Sequence, residues 1–319
     1  MNVTPASRWL HRFAWGTAVL TLLLPVATGA VVTTLQAGMA FPDWPSSDGY
    51  NMLAYPWLRS ARDQFVEHGH RLAGLTIGLL SISLAVFAWM VDSRRQVRVL
   101  AAAIFGSVFI QGMLGGARVL MDERVLALIH GDFAAAVFSL MSVFVLVTGQ
   151  SWDARERIAD KKVGRTVSLA ATMLLMSLMV QYYLGGVLRH FGDGWAWIAH
   201  PWFALVPVML APVFAIVARR SGSPLLVRCS VFLLGLIVSQ AVLGLVTWYV
   251  SRGVPAWGVV ARRGSTEMVL ICSLHKVAGM LTLMTSVISV VCSASVQRLT
   301  CERSPNSMDL DRTLVGVAI

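Results

Sequence analysis

Charge and cysteine are what this chain has least of. Charged residues fill 13% of its 319 positions and hydrophobic ones 56%, with a mean hydropathy of +0.69. A soluble domain carries roughly twice that charge fraction, so a water-soluble globule is excluded. The four cysteines, Cys229, Cys272, Cys292 and Cys301, include no C-x-x-C spacing. Cys272 and Cys292 belong near opposite ends of one apolar run, so free thiols are expected rather than a disulfide framework. Asp, Glu, Lys and Arg are missing from the middle of every long apolar run, which argues against ion-coupled transport.

What the chain has in abundance is apolar runs of about 20 residues, the length that crosses about 30 Å of hydrocarbon. Eight occur, at roughly 13–36, 69–91, 99–120, 125–149, 166–188, 198–218, 226–250 and 268–293. Lipid cannot pair the backbone of an unclosed strand, so helices are expected throughout. The fold class is therefore all-α, a polytopic membrane protein with eight transmembrane helices. The first run is too long for a signal-peptide core and no A-x-A site follows it, so it reads as a retained span. With only about twelve residues ahead of it, a bacterial plasma (inner) membrane is expected rather than an organelle.

The formal net charge of +10 is a matter of topology. Arg94, Arg95 and Arg98 share one short loop, Arg155, Arg157, Lys161, Lys162 and Arg165 another, and Arg219, Arg220 and Arg228 a third. These alternate loops, with Arg8, Arg12, Arg298 and Arg303, mark the cytoplasmic side and place both termini there. Anionic lipid headgroups are the partners this implies, with no nucleic acid. The stretches 37–68, 121–124, 189–197 and 251–267 then lie outside. The first carries Phe41-Pro42-Asp43-Trp44-Pro45 and Ser46-Ser47-Asp48-Gly49, a turn-rich segment whose Trp44, Tyr55 and Trp57 are expected to fold it back onto the membrane. From about 297 a short polar tail is expected.

His70, His130, His200 and His275 each open an even-numbered apolar run, so a weaving chain brings all four imidazoles to one side. Taken singly, each is equally well an interfacial residue. As a matched set they are two pairs of metal ligands, most simply axial ligands of haem iron near the outer face. Zinc fits less well, because no Cys/His/carboxylate clustering accompanies them. Arg71, Arg118, Arg189 and Lys276 lie at the same level, either pairing with porphyrin carboxylates or snorkelling to the interface. His68, His190 and His11 read as loop or interface residues outside the set.

An internal repeat supports the pairing. Gln111-Gly112-Met113-Leu114-Gly115-Gly116 matches Gln181-Tyr182-Tyr183-Leu184-Gly185-Gly186, and a histidine follows each glutamine by nineteen positions. Gln240-Ala241-Val242-Leu243-Gly244 is a degraded third copy, and His70-Arg71-Leu72-Ala73-Gly74 parallels His275-Lys276-Val277-Ala278-Gly279. Duplication of a helical hairpin implies two pseudo-symmetric four-helix bundles, 1–150 and 151–296, followed by a cytoplasmic tail 297–319. The glycine pairs serve close helix packing or the approach of a flat macrocycle equally well. Glu67 breaks the symmetry: it lies one helical turn before His70, on the same face. It is either an acid placed near a helix N-terminus or a group that moves protons at one haem site.

These residues resemble the haem A synthase family, in its cysteine-lacking branch. The match runs from about 15 to 295 and rests on Glu67-x-x-His70-Arg71, the Gln-x-x-Leu-Gly-Gly segments, Pro42-Asp43-Trp44-Pro45 and the four histidines. The resemblance implies that His200 and His275 ligate a haem b cofactor. It implies that His70 and His130 hold the substrate haem O, with Glu67 catalytic. The implied reaction oxidises the C8 methyl group to a formyl group by successive O2-dependent steps through a hydroxymethyl intermediate, supplying haem A to terminal oxidases. Haem O synthase or oxidase subunits are the partners implied, a homo-oligomer is compatible, and the motifs name no electron donor. Many bacterial members have a cysteine before the Pro-Asp-Trp-Pro segment, where this chain has Phe41. The competing expectation is a di-haem b electron-transfer cytochrome without catalysis.

Overall fold

A computed structural model of the chain describes residues 5–153, 160–254, 259–261 and 264–301. Among them are eight helices long and apolar enough to cross a membrane, so the protein is an all-helical, multi-pass membrane protein. Span 1 combines α1 (Pro5–Thr21), a π-helical turn (Leu22–Val26) and α2 (Ala27–Leu35). Pro25, which has no N–H to donate, sits inside the wide turn. Spans 2, 3 and 4 are α3 (Arg62–Val91), α4 (Arg95–Met121) and α5 (Arg124–Thr148). After the short α6 (Gln150–Asp153), span 5 is α7 (Lys161–Phe191), whose first turn is capped by the Asp160 carboxylate. Span 6 is broken at Ala204 into α8 (Ala196–Phe203) and α9 (Leu205–Arg220). Span 7 is α10 (Pro224–Arg252), and span 8 lies within α11 (Thr266–Cys301).

Most helices overrun the apolar runs that announce them by up to two turns, because polar interfacial residues still satisfy their backbones in helical geometry. The helix α11 continues to Cys301, into the stretch expected as a polar tail from about 297. The remainder of that tail, with Arg303, lies outside the described residues, as do Arg155 and Arg157. The segment expected as a plain loop near 251–267 contains a small antiparallel ladder, Gly253–Val254 with Val259–Val260. The histidines do not open their helices: His70 is the ninth residue of α3, His130 the seventh of α5, His200 the fifth of α8 and His275 the tenth of α11.

Span 1 packs on spans 2 and 4, and span 3 on the same two; span 5 packs on spans 6 and 8, and span 7 on the same two. Spans 4 and 8 join the sets, touching each other, while span 8 also meets span 1 and span 4 meets span 5. The two largest apolar clusters, one around Leu84, Ile104, Met141 and Phe144 and one around Leu174, Phe214, Leu233 and Cys292, lie well beyond the histidines along their helices. The end carrying the four histidines has smaller apolar clusters, around Val26, Ala135 and Met280 and around Leu128, Val187 and Ala196, interleaved with polar contacts. Apolar side chains such as Leu79, Phe109, Met209 and Leu245 face outward from the helices, as lipid contact allows.

Candidate functional site

At the histidine end the imidazoles stand in two facing pairs. His70 and His130 have ring centroids 6.3 Å apart and planes at 85°; His200 and His275 repeat this at 6.3 Å and 82°. Each ring leans on a glycine of the preceding span. A Cβ would lie 2.8 Å from His70 Cε1 at Gly29, 3.1 Å from His130 Cε1 at Gly115, 3.0 Å from His200 Cε1 at Gly185 and 3.5 Å from His275 Cε1 at Gly244. Three glutamines seat the rings from the same spans. Gln111 and Gln181 donate to the carbonyls of His130 and His200 at 3.0 Å, and Gln240 to that of His275 at 2.8 Å. The nineteen-residue spacing is thus the reach of one side chain across a hairpin. At His70 the fourth seat is different: Thr28 Oγ1 lies 3.2 Å from Nδ1.

Thr28-Gly29 is therefore a fourth copy of the repeat, and sequence reading missed it because Pro25 occupies the glutamine position. The first glycine of each Gly-Gly pair admits an imidazole. The second admits a neighbouring side chain: Trp44 lies against Gly116, and Leu128 and Asp132 against Gly186.

These pairs fit a metal held between two imidazoles. A metal–nitrogen bond of about 2 Å and a ring radius of about 1.1 Å on each side give roughly 6.2 Å between centroids, close to the 6.3 Å found. His130 Nδ1 and His275 Nδ1, one nitrogen in each pair, are buried without a hydrogen-bond partner. Among the described residues no three His, Cys, Asp or Glu side chains gather into a metal cluster. Two imidazoles leave a ring of coordination positions for another ligand, as an iron macrocycle provides.

Glu67 does share a helix face with His70, but its carboxylate is committed elsewhere. Oε2 accepts from the backbone N–H groups of Ala40 (2.7 Å) and Phe41 (3.3 Å), while Oε1 accepts from Arg71 Nη2 at 2.8 Å and Nε at 3.2 Å. Arg71 Nη1 then donates to the carbonyls of Asp43 (2.8 Å) and Ser46 (2.7 Å). Arg71 is thereby removed from the cations expected to meet porphyrin carboxylates, since all its nitrogens serve this clamp. Phe41 is fully buried, with Arg71 over its ring and Tyr55 edge-on at 5.1 Å. His68 (1% exposed) is the hub of the long loop, bonded to Ser47 at 3.1 Å and ringed by Phe41, Tyr55 and Trp57. The loop does fold back, with Trp44 seated on Gly116 of span 3, Trp57 against Gly69 and Phe65 of span 2, and Tyr55 against His68. Asp43 anchors its own turn by accepting from the N–H groups of Asp48 and Gly49 at 2.9 Å. Burial raises the Asp43 carboxyl, but hydrogen bonds from Ser46, Gly49 and Asp48 outweigh it and hold it below its ordinary value.

His11 lies at the opposite end, 3.2 Å from Thr148 Oγ1. Lys276 and His190 converge over Gly131 of span 4, and Asp132 lies against Gly186 of span 5, where the two sets of spans join. Asp132 had no signal in the sequence beyond its place two residues after His130.

The fold and this site define a class: a multi-pass membrane protein with two facing pairs of imidazoles set in duplicated helical hairpins. Similarity to known proteins narrows the class. A family model described as cytochrome oxidase assembly protein matches residues 59–202, which contain Glu67, His70, His130 and His200. A protein described as "Heme A synthase" from Symbiobacterium thermophilum is 30% identical over 214 residues, 65% of this chain and 68% of that one. Proteins of the same description from Brucella ovis and Brucella abortus are 33% identical over 148 residues, 42% of this chain and 40% of theirs. The chain belongs to the haem A synthase family.

Proposed function

We propose that this protein makes haem A from haem O, oxidising the C8 methyl group to a formyl group by successive O2-dependent steps through a hydroxymethyl intermediate. The observation that carries this reading, beside the family, is the two imidazole pairs with centroids 6.3 Å apart. Residues 1–150 are assigned the substrate haem, held by His70 and His130. Residues 151–296 are assigned a haem b cofactor, held by His200 and His275. Bound there, haem b would supply reducing equivalents. The four glycines and the amide and hydroxyl seats fix the imidazoles that would hold each haem.

Glu67 enters as a positioning residue. Its carboxylate fastens the start of the long loop to α3, and Arg71 carries that anchorage to Asp43 and Ser46. The loop is thereby held beside the His70 helix, shaping access to the reacting edge and shielding it from water. In this branch the residue before Pro-Asp-Trp-Pro is Phe41, whose burial packs the loop against α3. The protein is assigned to the bacterial plasma membrane, with the histidine end outside and both termini cytoplasmic. Haem O synthase and oxidase subunits are the partners this reading suggests.

The test is co-expression with a haem O supply and chromatography of the extracted haems. Haem A or its hydroxymethyl precursor is expected; a folded, haem-loaded protein yielding neither refutes the reading. One observation favours a second reading, a di-haem b electron carrier. The pairs are nearly identical in geometry, and the clamp removes the Glu67 asymmetry from the imidazoles themselves. Two permanently low-spin haems with no turnover of haem O would select it.

A further inference from the structure

Three fixed cations and a histidine converge where the two sets of spans join. Lys276 follows His275 on α11, yet its ammonium sits over α5. A Cβ at Gly131, next to His130, would lie 3.6 Å from Lys276 Nζ and 3.8 Å from His190 Nε2. Arg189 on α7 reaches α2, where Nη2 donates to the Ala30 carbonyl at 2.8 Å and to the Thr34 hydroxyl. Ala30 adjoins Gly29, the glycine beneath His70. The Arg189 Nε is buried with no partner, as is the Tyr182 hydroxyl. Arg118 completes the group from α4, bonded to the Gly38 carbonyl.

Compensating acids are few. Asp132, next to Gly131 and against Gly186, is the acid at this junction, and Glu67 is taken by Arg71. No ion pair among the described residues joins a carboxylate to Arg118, Arg189 or Lys276. Counted formally, three cations against Asp132 leave two positive charges in excess, a costly arrangement until an anion arrives. A macrocycle with two carboxylates matches that excess in sign and number.

We propose that Lys276, Arg189 and Arg118 form the carboxylate-binding subsite for the porphyrin held by His70 and His130. Spans 5 and 8 thereby supply two of the three anchors for a ligand seated among spans 1 to 4. This rests on reading the histidine pairs as porphyrin sites. It assigns the junction a binding role, in which Asp132 offsets one of the three cationic charges.

The test titrates iron protoporphyrin IX, and its dimethyl ester that lacks both free carboxylates, into the solubilised H200A/H275A double variant. The low-spin Soret band reports the remaining pair. The acid is expected to bind more tightly than the ester by about tenfold to a hundredfold, the effect of losing one charge-assisted bond or more. Adding K276M or R189Q should weaken the acid towards the ester and leave the ester unchanged, and K276R should restore most of the gap. Should the double variant not fold, the same acid-to-ester comparison in K276M, K276R and otherwise unsubstituted protein decides the same question. Equal binding of acid and ester, or a gap that survives K276M and R189Q, overturns the proposal. Failure of the underlying reading looks different. In that case no low-spin band would be lost on adding H70A, whatever the charge of the cluster, and the proposal would fall with it.

Discussion

A methyl group at residue 185 tests how the imidazoles are seated. In Gly185→Ala the new Cβ would lie 3.0 Å from His200 Cε1, against the 3.4 Å at which ordinary van der Waals contact begins. The ring must withdraw by about 0.4 Å, twice the tolerance of about 0.2 Å expected for a metal–ligand distance. Overpacking of this kind costs about 1–3 kcal/mol, which lowers affinity for the C-terminal haem by roughly 5- to 150-fold. Alanine also favours the helix over glycine by about 0.8–1 kcal/mol, so the thermal midpoint should move little while haem affinity falls. Gly244→Ala is the internal control, because its Cβ would meet His275 Cε1 at an unstrained 3.5 Å. The assay is haem retained per protein during a competitive apo-globin challenge, read beside the melting curve. Equal retention by G185A and G244A would refute the seating described here.

Four further outcomes are expected. Gly29→Ala, with the closest approach of the set at 2.8 Å, should impair the His70–His130 pair more than Gly115→Ala does, measured as porphyrin affinity in an H200A/H275A background. Gln181→Leu removes the 3.0 Å bond to the His200 carbonyl and should cost about 1 kcal/mol, with a change in the low-spin electron paramagnetic resonance signal reporting a freed ring. Glu67→Gln breaks an ion pair whose partners are only 7% and 3% exposed, a loss of about 3–5 kcal/mol locally. The 36–61 loop should become protease-sensitive and haem A formation should stop, while haem at His200–His275 is retained; unchanged product formation would remove Glu67 from its role. Because the folded Asp43 carboxyl lies below its ordinary 3.8, the stability it lends the 43–49 turn is complete above that value. It is lost as pH falls through the folded value. Asp43→Asn should abolish this acid-range dependence, as followed by peptic cleavage of the loop.

The eight spans were legible because lipid demands apolar length, and nothing in the tertiary structure competes with that demand. Helix ends were not, since Arg62–Glu67 and Lys161–Arg165 are polar yet helical. The histidines and the glutamine spacing were legible because a hairpin converts fixed sequence separation into contact. Thr28-Gly29 escaped notice because a proline and a long loop disguise its copy of the hairpin. The engagement of Glu67 with Ala40 and Phe41 was also hidden. Helical periodicity gives the face a side chain occupies, but not which distant backbone will fold down to meet it. Arg71 and Lys276 looked alike in sequence, following matched histidines; only packing separates the loop clamp from the cation at the junction.

The bond from Arg189 to Ala30 joins residues 159 positions apart. At about 5–20 residues per second, ribosomes need roughly 8–30 s to synthesise the intervening chain. Until span 5 enters the bilayer, the upper turn of span 1 lacks its partner, so the newborn first helix passes that interval with its ligand seat unfinished. Premature capture of a pigment by the early spans is thereby disfavoured, and chain termination before residue 189 should leave a fragment that inserts but stays colourless.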